Sequence, residues 1–348
     1  MDAVTAATAP TLTWETLDLH TAQPFGIARW THSTYPRTFV TLTHAGLTGQ
    51  GEAAPNAFYG ETRGTVEAVL PLLADALTDP WDWDGLHARL TARMPHDHPS
   101  VKCALEMAAV EWCAQAAGVP VWRLLGLSPA PLPESSYTVS IADTAAMREQ
   151  ARDAVARGHG VLKVKLGTGR DEAILEALRE EAPHVALRVD ANAAWTRTQA
   201  RRMLGVLDAA RVEFVEQPLA AGDLDGHAAL RAVSTVPIVA DESLHHVPDV
   251  IALARAFDGV NLKLAKLGGP LQALAAMRLA RAHGLQVMMG CMIESSLGIA
   301  AAAHLAGACD WADLDGALLL ADDPFTGLEW QAGHLNRPTG NGWGVRRA

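Results

Sequence analysis

Residues 186–219 read ALRVDANAAWTRTQARRMLGVLDAARVEFVEQPL. A short aliphatic run ends in Asp190. A polar loop leads to an amphipathic stretch over 198–210, and a second apolar run ends in Glu216. Two short apolar runs around a helical segment read as one β–α–β unit of a parallel sheet. The same rhythm extends outward in both directions. Strand-like runs occur at 137–141, 161–166, 186–190, 212–216, 238–241, 259–263, 286–290 and 311–315. Helical stretches at 171–181, 198–210, 270–283 and 298–308 lie between them. Eight strands alternating with helices predict an α/β chain folded as a (β/α)8 TIM-type barrel. A doubly wound sheet is the competing architecture. It is disfavoured because no Gly-x-Gly-x-x-Gly follows the first strand; Gly167-Thr-Gly169 alone is a weak signal.

The chain has a different texture before this rhythm. Period-two runs at 12–19 and 38–43 predict strands, Gly46 and Gly49 predict a turn, and alanine- and leucine-rich stretches at 65–77 and 101–117 predict helices. The expected organisation is an N-terminal α+β capping domain over 1–125, the barrel over 126–322, and a Gly- and Pro-rich tail over 323–348 that packs back on the first domain.

The 348 residues are 49% hydrophobic, enough for a large core, and the formal charge of -11 argues against nucleic acid or an anionic membrane as partner. An anionic substrate is still compatible, because a bound metal reverses the local charge. Cys103, Cys113, Cys291 and Cys309 form no Cys-x-x-Cys pair and read as buried thiols of a reducing compartment. Residues 1–3 show no basic leader. The most apolar tract, 287–309, is broken by Glu294, Ser295, Ser296 and His304, so it is a poor membrane span. A cytoplasmic protein is expected.

The residues that close the strands carry the chemistry. From the second strand onward they are Lys165, Asp190, Glu216, Asp241, Lys263, Gly290 and Asp315, spaced 22 to 27 residues apart. One β–α unit separates each pair, so the side chains recur at the C-terminal mouth, where barrel enzymes place their sites. A single acid there would read as a helix cap. Three at neighbouring strand ends repel one another, and without a cation one of them must hold a proton. An all-oxygen set of this kind points to Mg2+ rather than zinc.

Lys163 and Lys165 share one face of their strand, where Lys163 and a metal would both lower the pKa of Lys165. Lys263 ends the sixth strand, opposite the second in an eight-strand ring. A carboxylate held by the metal would have one lysine on each side, which suits removing a proton from one face and returning it to the other. The metal and ammonium groups would stabilise the charge that builds on the carboxylate oxygens.

The motifs Lys163-Val-Lys165, Asp190-Ala-Asn192, Glu216-Gln-Pro218, Asp241-Glu-Ser243 and the run NLKLAKLGG at 261–269 resemble those of the enolase superfamily, in its muconate-lactonising-enzyme-like branch. Gly51-Glu-Ala-Ala-Pro55 and Tyr59-Gly-Glu-Thr62 resemble its capping domain. Asp313-Leu-Asp315-Gly resembles the Asp-x-Asp motif of dipeptide epimerases such as the L-Ala-D/L-Glu enzymes. The resemblance implies that Asp190, Glu216 and Asp241 bind Mg2+, that Lys165 and Lys263 are the acid/base pair, and that Lys163 holds a substrate oxygen. It also implies that Asp313 and Asp315 bind the free ammonium of a dipeptide. Thr138 and the strand-seven loop with Glu294 would contact the substrate. A basic residue near 25–35, with Arg29 the candidate and Trp30 its competitor, would face an acidic side chain. Asn192 would stand behind the metal ligands. A homo-oligomer is the family habit.

Other residues have plainer readings. His245 and His246 read as loop residues and Lys266 as lying past the strand end. Glu242 reads as turned away from Asp241 toward a helix, and Trp195, Trp311 and Trp330 as core. The alternatives within the same catalytic set are o-succinylbenzoate synthase, N-acylamino acid racemase and muconate cycloisomerase. Outside it stand a Schiff-base lysine aldolase and a catalytically silent binding barrel.

Overall fold

A computed structural model describes residues 9–94 and 98–348; residues 1–3, read above for a leader, lie outside them. Three antiparallel strands open the chain: β1 (Thr11–Gly26), β2 (Thr31–His44) and β3 (Leu47–Ala53). Helices α1 (Arg63–Leu73), α2 (Trp83–Arg93) and α3 (Pro99–Ala117) follow. Thr62 caps α1 through a reciprocal bond with Thr65, and the left-handed Gly118 ends α3. The turn between β2 and β3 is Ala45-Gly46, whereas Gly49 lies inside β3, contrary to its expected place in the turn. The reason is steric. α3 lies directly on β3, and a Cβ at Gly49 would stand 2.1 Å from the Ala108 carbonyl oxygen, as one at Gly51 would stand 1.9 Å from that of Ala104.

The barrel strands are β4 (Tyr137–Val139), β5 (Val161–Lys165), β6 (Ala186–Asp190), β7 (Val212–Glu216), β8 (Ile238–Ala240), β9 (Gly259–Leu262), β10 (Gln286–Gly290) and β11 (Trp311–Asp313). They form one eight-stranded sheet in sequential order, and a bridge from Ser135 to Ala312 closes the ring. β5 is buried along its whole length, as expected of a parallel strand covered on both faces. The expected α/β barrel with its α+β capping domain is the fold observed.

β1 is long enough to reach the barrel: the Ile141 and Ala321 amides donate to the carbonyls of Gly26 and His20. The C-terminal segment returns to the capping domain through Trp343, which is fully buried and donates from Nε1 to the Gln50 carbonyl. Among the described residues no helix is long and apolar enough to cross a membrane.

Candidate active site

Register sets the level of the site. Lys165 pairs with Asp190 and Asp190 with Glu216 across β5, β6 and β7, so the three side chains sit together at the C-terminal mouth. Asp241 follows the last residue of β8. Asp190, Glu216 and Asp241 are all buried, and each offers a carboxylate oxygen within 4.8 Å of the other two.

Four lysines surround this trio. Lys163 Nζ stands 2.6 Å from Glu216 Oε2, 2.8 Å from Asp313 Oδ2 and 3.2 Å from Asp190 Oδ2. Lys165 Nζ lies 2.7 Å from Asp190 Oδ2, and Lys263 Nζ lies 2.9 Å from Asp241 Oδ2. Lys266, read from sequence as merely past the strand end, donates to both the carboxylate and the backbone carbonyl of Asp241. β5 and β9 are four places apart in the ring, so Lys165 and Lys263 approach from opposite sides.

The electrostatics follow from burial and neighbours. Burial alone would raise Asp190, but Lys165 and Lys163 overcome it and bring its pKa down to about 2. Asp241 is also buried, yet Lys263 and Lys266 hold it well below the carboxylate range. Glu216 goes the other way: burial and the neighbouring Asp190 push it up to about 8. It is therefore the acid that keeps a proton when no cation lies among the three. Burial works against the charge of Lys163, but Asp313 and Glu216 outweigh it and hold its pKa well above the ordinary range. Lys263 is raised in the same way by Asp241. The lysines thus sit among acids rather than only beside one another.

The residues fit a divalent cation. Glu216 Oε2 is buried with no directed hydrogen bond among the described residues, although Lys163 Nζ is 2.6 Å away. Asn192 Oδ1, on the residue that donates to Asp190, also has no partner among them. Buried oxygens with unused lone pairs in a three-carboxylate set suit a hard ion such as Mg2+.

The seam of the barrel supplies the second acidic pair. Asp313 ends β11 and is already engaged, accepting from Ser136 Oγ at 2.6 Å and pairing with Lys163. Asp315 accepts from the Thr138 amide at 2.7 Å, and burial together with Asp313 pushes it up to about 7. Both acids and Thr138 line the cleft. Ser136 escaped the sequence reading; its proximity to β11 arises only when the barrel closes.

Two expectations need correction, and a third gains a detail. Glu294 does not line the cleft: it accepts from the Met292 amide and is buried in a cluster with Arg37 and Glu52 under the start of the helix Ser296–Ala306. Glu242 does not face a helix. β8 stops at Ala240, so strand alternation no longer governs residue 242, which lines the cleft and takes a hydrogen bond from Arg29. Arg29 lines the cleft as expected, but it is occupied by Glu242 at 2.8 Å and by the Asn192 carbonyl. Asn192 donates from Nδ2 to Asp190 Oδ2 and Glu242 Oε1 and itself lines the cleft. His245 and His246 hold exposed loop positions, where the Asp249 carboxylate accepts from both amides. Trp195 and Trp311 are buried, and Trp330 is half-buried.

The cleft holds about 320 Å³ and lies between the barrel mouth and the capping domain. Its barrel side is lined by Lys163, Lys165, Asp241, Lys263, Asp313 and Asp315; its capping-domain side includes Phe25, Ile27, Trp30, Tyr35, Phe58 and Tyr59.

Comparison with known proteins agrees with this arrangement. Residues 12–126 match the mandelate racemase / muconate lactonizing enzyme N-terminal domain, and residues 146–347 match the enolase C-terminal domain-like family. The chain is 38% identical to a hydrophobic dipeptide epimerase of Roseobacter litoralis, over 92% of this chain and 94% of that protein. It is 32% identical to an L-Ala-D/L-Glu epimerase of Bacteroides thetaiotaomicron, over 97% and 88%. Its structure is similar to that of a dipeptide epimerase from Enterococcus faecalis complexed with Mg and L-Leu-L-Tyr, with a TM-score of 0.92, 30% identity and 97% and 99% coverage.

Proposed function

Because this chain belongs to the mandelate racemase / muconate lactonizing enzyme family of the enolase superfamily, we propose that it is a Mg2+-dependent dipeptide epimerase. The observation that carries the reading is the pairing of Lys165 with Asp190 and of Lys263 with Asp241, from opposite sides of one carboxylate trio.

Asp190, Glu216 and Asp241 would hold the ion. When bound, Mg2+ supplies Lewis-acid stabilisation of the substrate's carboxylate oxygens as the α-proton leaves. The rest falls to the chain's own side chains. Lys163 donates to a carboxylate oxygen and keeps its charge through the step. One of Lys165 and Lys263 removes the α-proton as a neutral amine. The other, as an ammonium, returns a proton to the opposite face, so the α-carbon is inverted.

Asp313 and Asp315 support a substrate with a free ammonium. Asp313 is largely satisfied by Ser136 and Lys163, which leaves Asp315 as the main cation partner. N-acylated or purely anionic substrates would bring no cation to that buried acid. This is the ground for placing N-acylamino acid racemase, o-succinylbenzoate synthase and muconate cycloisomerase behind the dipeptide reading. A reducing, cytoplasmic setting belongs to the same proposal, supported by four free cysteines of which two are buried. The homo-oligomer rests on family habit alone.

The test is chiral chromatography of L-Ala-L-X dipeptides incubated with the protein and Mg2+. Formation of the D-epimer that stops on chelation supports the reading. Turnover confined to N-acylated amino acids overturns it.

A further inference from the structure

We infer that the epimerised residue carries an apolar or aromatic side chain, because the arginines that would receive an acidic one are already paired inside the protein. The inference rests on the dipeptide-epimerase reading and names its substrate class.

Three of the four groups on the reacting α-carbon have places on the barrel floor. On the dipeptide-epimerase reading the carboxylate would face the acid trio, the hydrogen a lysine, and the amide Asp313 and Asp315. The side chain is left facing the capping domain. That wall brings three arginines to the cleft, Arg29, Arg37 and Arg63. Each is paired among the described residues. Arg63 binds Glu67 at 2.7 Å and Asp18 at 3.2 Å out toward solvent. Arg37 is 2% exposed, donates to the Ile293 carbonyl and stands 3.8 Å from Glu52.

Arg29 is the one placed to meet a substrate. It bonds Glu242 Oε1 at 2.8 Å and the Asn192 carbonyl, and its guanidinium lies 4.0 Å above the Phe58 ring and 5.1 Å from the Trp30 ring. Glu242 is 1% exposed, so drawing Arg29 away toward a substrate carboxylate would strand a buried charge. The same pair neutralises Glu242, so a cationic side chain gains no free acid there. Beside His32, Thr34, Asn56 and Thr62, what the wall offers is ring surface and aliphatic surface: Phe25, Ile27, Trp30, Tyr35, Phe58 and Tyr59. An apolar side chain fills such a wall without unpaired charge, whereas a charged one must be desolvated against it.

The experiment compares kcat/KM for L-Ala-L-Phe, L-Ala-L-Leu, L-Ala-L-Glu and L-Ala-L-Lys at about pH 8 with Mg2+. We expect Phe and Leu to exceed Glu and Lys by at least about tenfold. Glu or Lys turning over as fast as the apolar pair overturns the inference and leaves the epimerase reading standing. No turnover of any dipeptide sinks both. Glu242→Gln supplies the second arm. It loosens Arg29, so the ratio of Glu to Phe turnover should rise several-fold. A ratio unmoved by the substitution overturns the pairing as its cause.

Discussion

Lys165 ends β5 and Lys263 follows β9, strands four places apart in an eight-stranded ring, and the two pair with different acids of one trio, Asp190 at 2.7 Å and Asp241 at 2.9 Å. The two ammonium groups therefore face each other across the position where the trio can hold an ion. A symmetric arrangement of this kind makes both directions of epimerisation equivalent in kind, with the lysines exchanging the roles of acid and base.

Replacing either lysine separates exchange from inversion. Lys165→Ala and Lys263→Ala should each lose epimerisation by roughly 10²–10⁴-fold, the usual worth of a general acid or base. One variant should still exchange the α-proton of the L-isomer and the other that of the D-isomer. Following α-deuteration of both epimers by NMR reads this directly.

Chelation should remove activity and also stability. Three buried carboxylates repel one another, and an ion that binds only the folded chain stabilises it by mass action. At a free Mg2+ concentration of about 100 times Kd the gain is roughly 2.7 kcal/mol, visible as a rise in unfolding midpoint. An unfolding temperature indifferent to Mg2+ would count against the trio as its site.

Asp315→Asn keeps the shape of the site and removes the charge. Dipeptide turnover should fall by about 10- to 100-fold in kcat/KM, the worth of a hydrogen bond between charged groups. The loss should lie mainly in KM if Asp315 holds the ammonium equally before and during proton transfer. Steady-state kinetics on one dipeptide suffices.

His304 predicts an acid-sensitive link between tail and barrel. Its Nδ1 receives the Trp122 amide at 3.1 Å, so Nε2 carries the proton and donates to the Trp343 carbonyl at 3.1 Å. An imidazolium cannot accept the first bond, and burial pushes the ring's pKa down from 6.5 to about 4. A depressed basic pKa means stability that is complete above about pH 6.5 and lost as pH falls toward 4, by roughly 3 kcal/mol. Urea midpoints across this range should fall less steeply in His304→Gln than in the parent.

The barrel was legible because parallel strands buried on both faces appear as short apolar runs, and because each run ends in a charged residue at a regular interval. The acid trio and the lysines were legible for the same reason: strand ends share a level. Residues beyond the strand ends were harder. Glu242 was misread because β8 ends at Ala240 and alternation ends with it. Glu294 was misread because its partners, Arg37 and Glu52, lie more than 200 residues away in the capping domain. The Arg29–Glu242 pair spans 213 residues, so nothing local announces it. Helix α2 was missed because Trp83–Arg93 is short and weakly patterned; its clearest local signal is the Asp82 cap on the Gly85 amide.

The most direct test of the two-lysine account is mass spectrometry of the D-epimer formed at early times from L-Ala-L-Phe in D2O with Mg2+. Transfer between opposite lysines predicts that the first product carries one α-deuterium while the remaining substrate stays largely protiated. A product that keeps the original protium would mean that one base carries the proton across, and would contradict it.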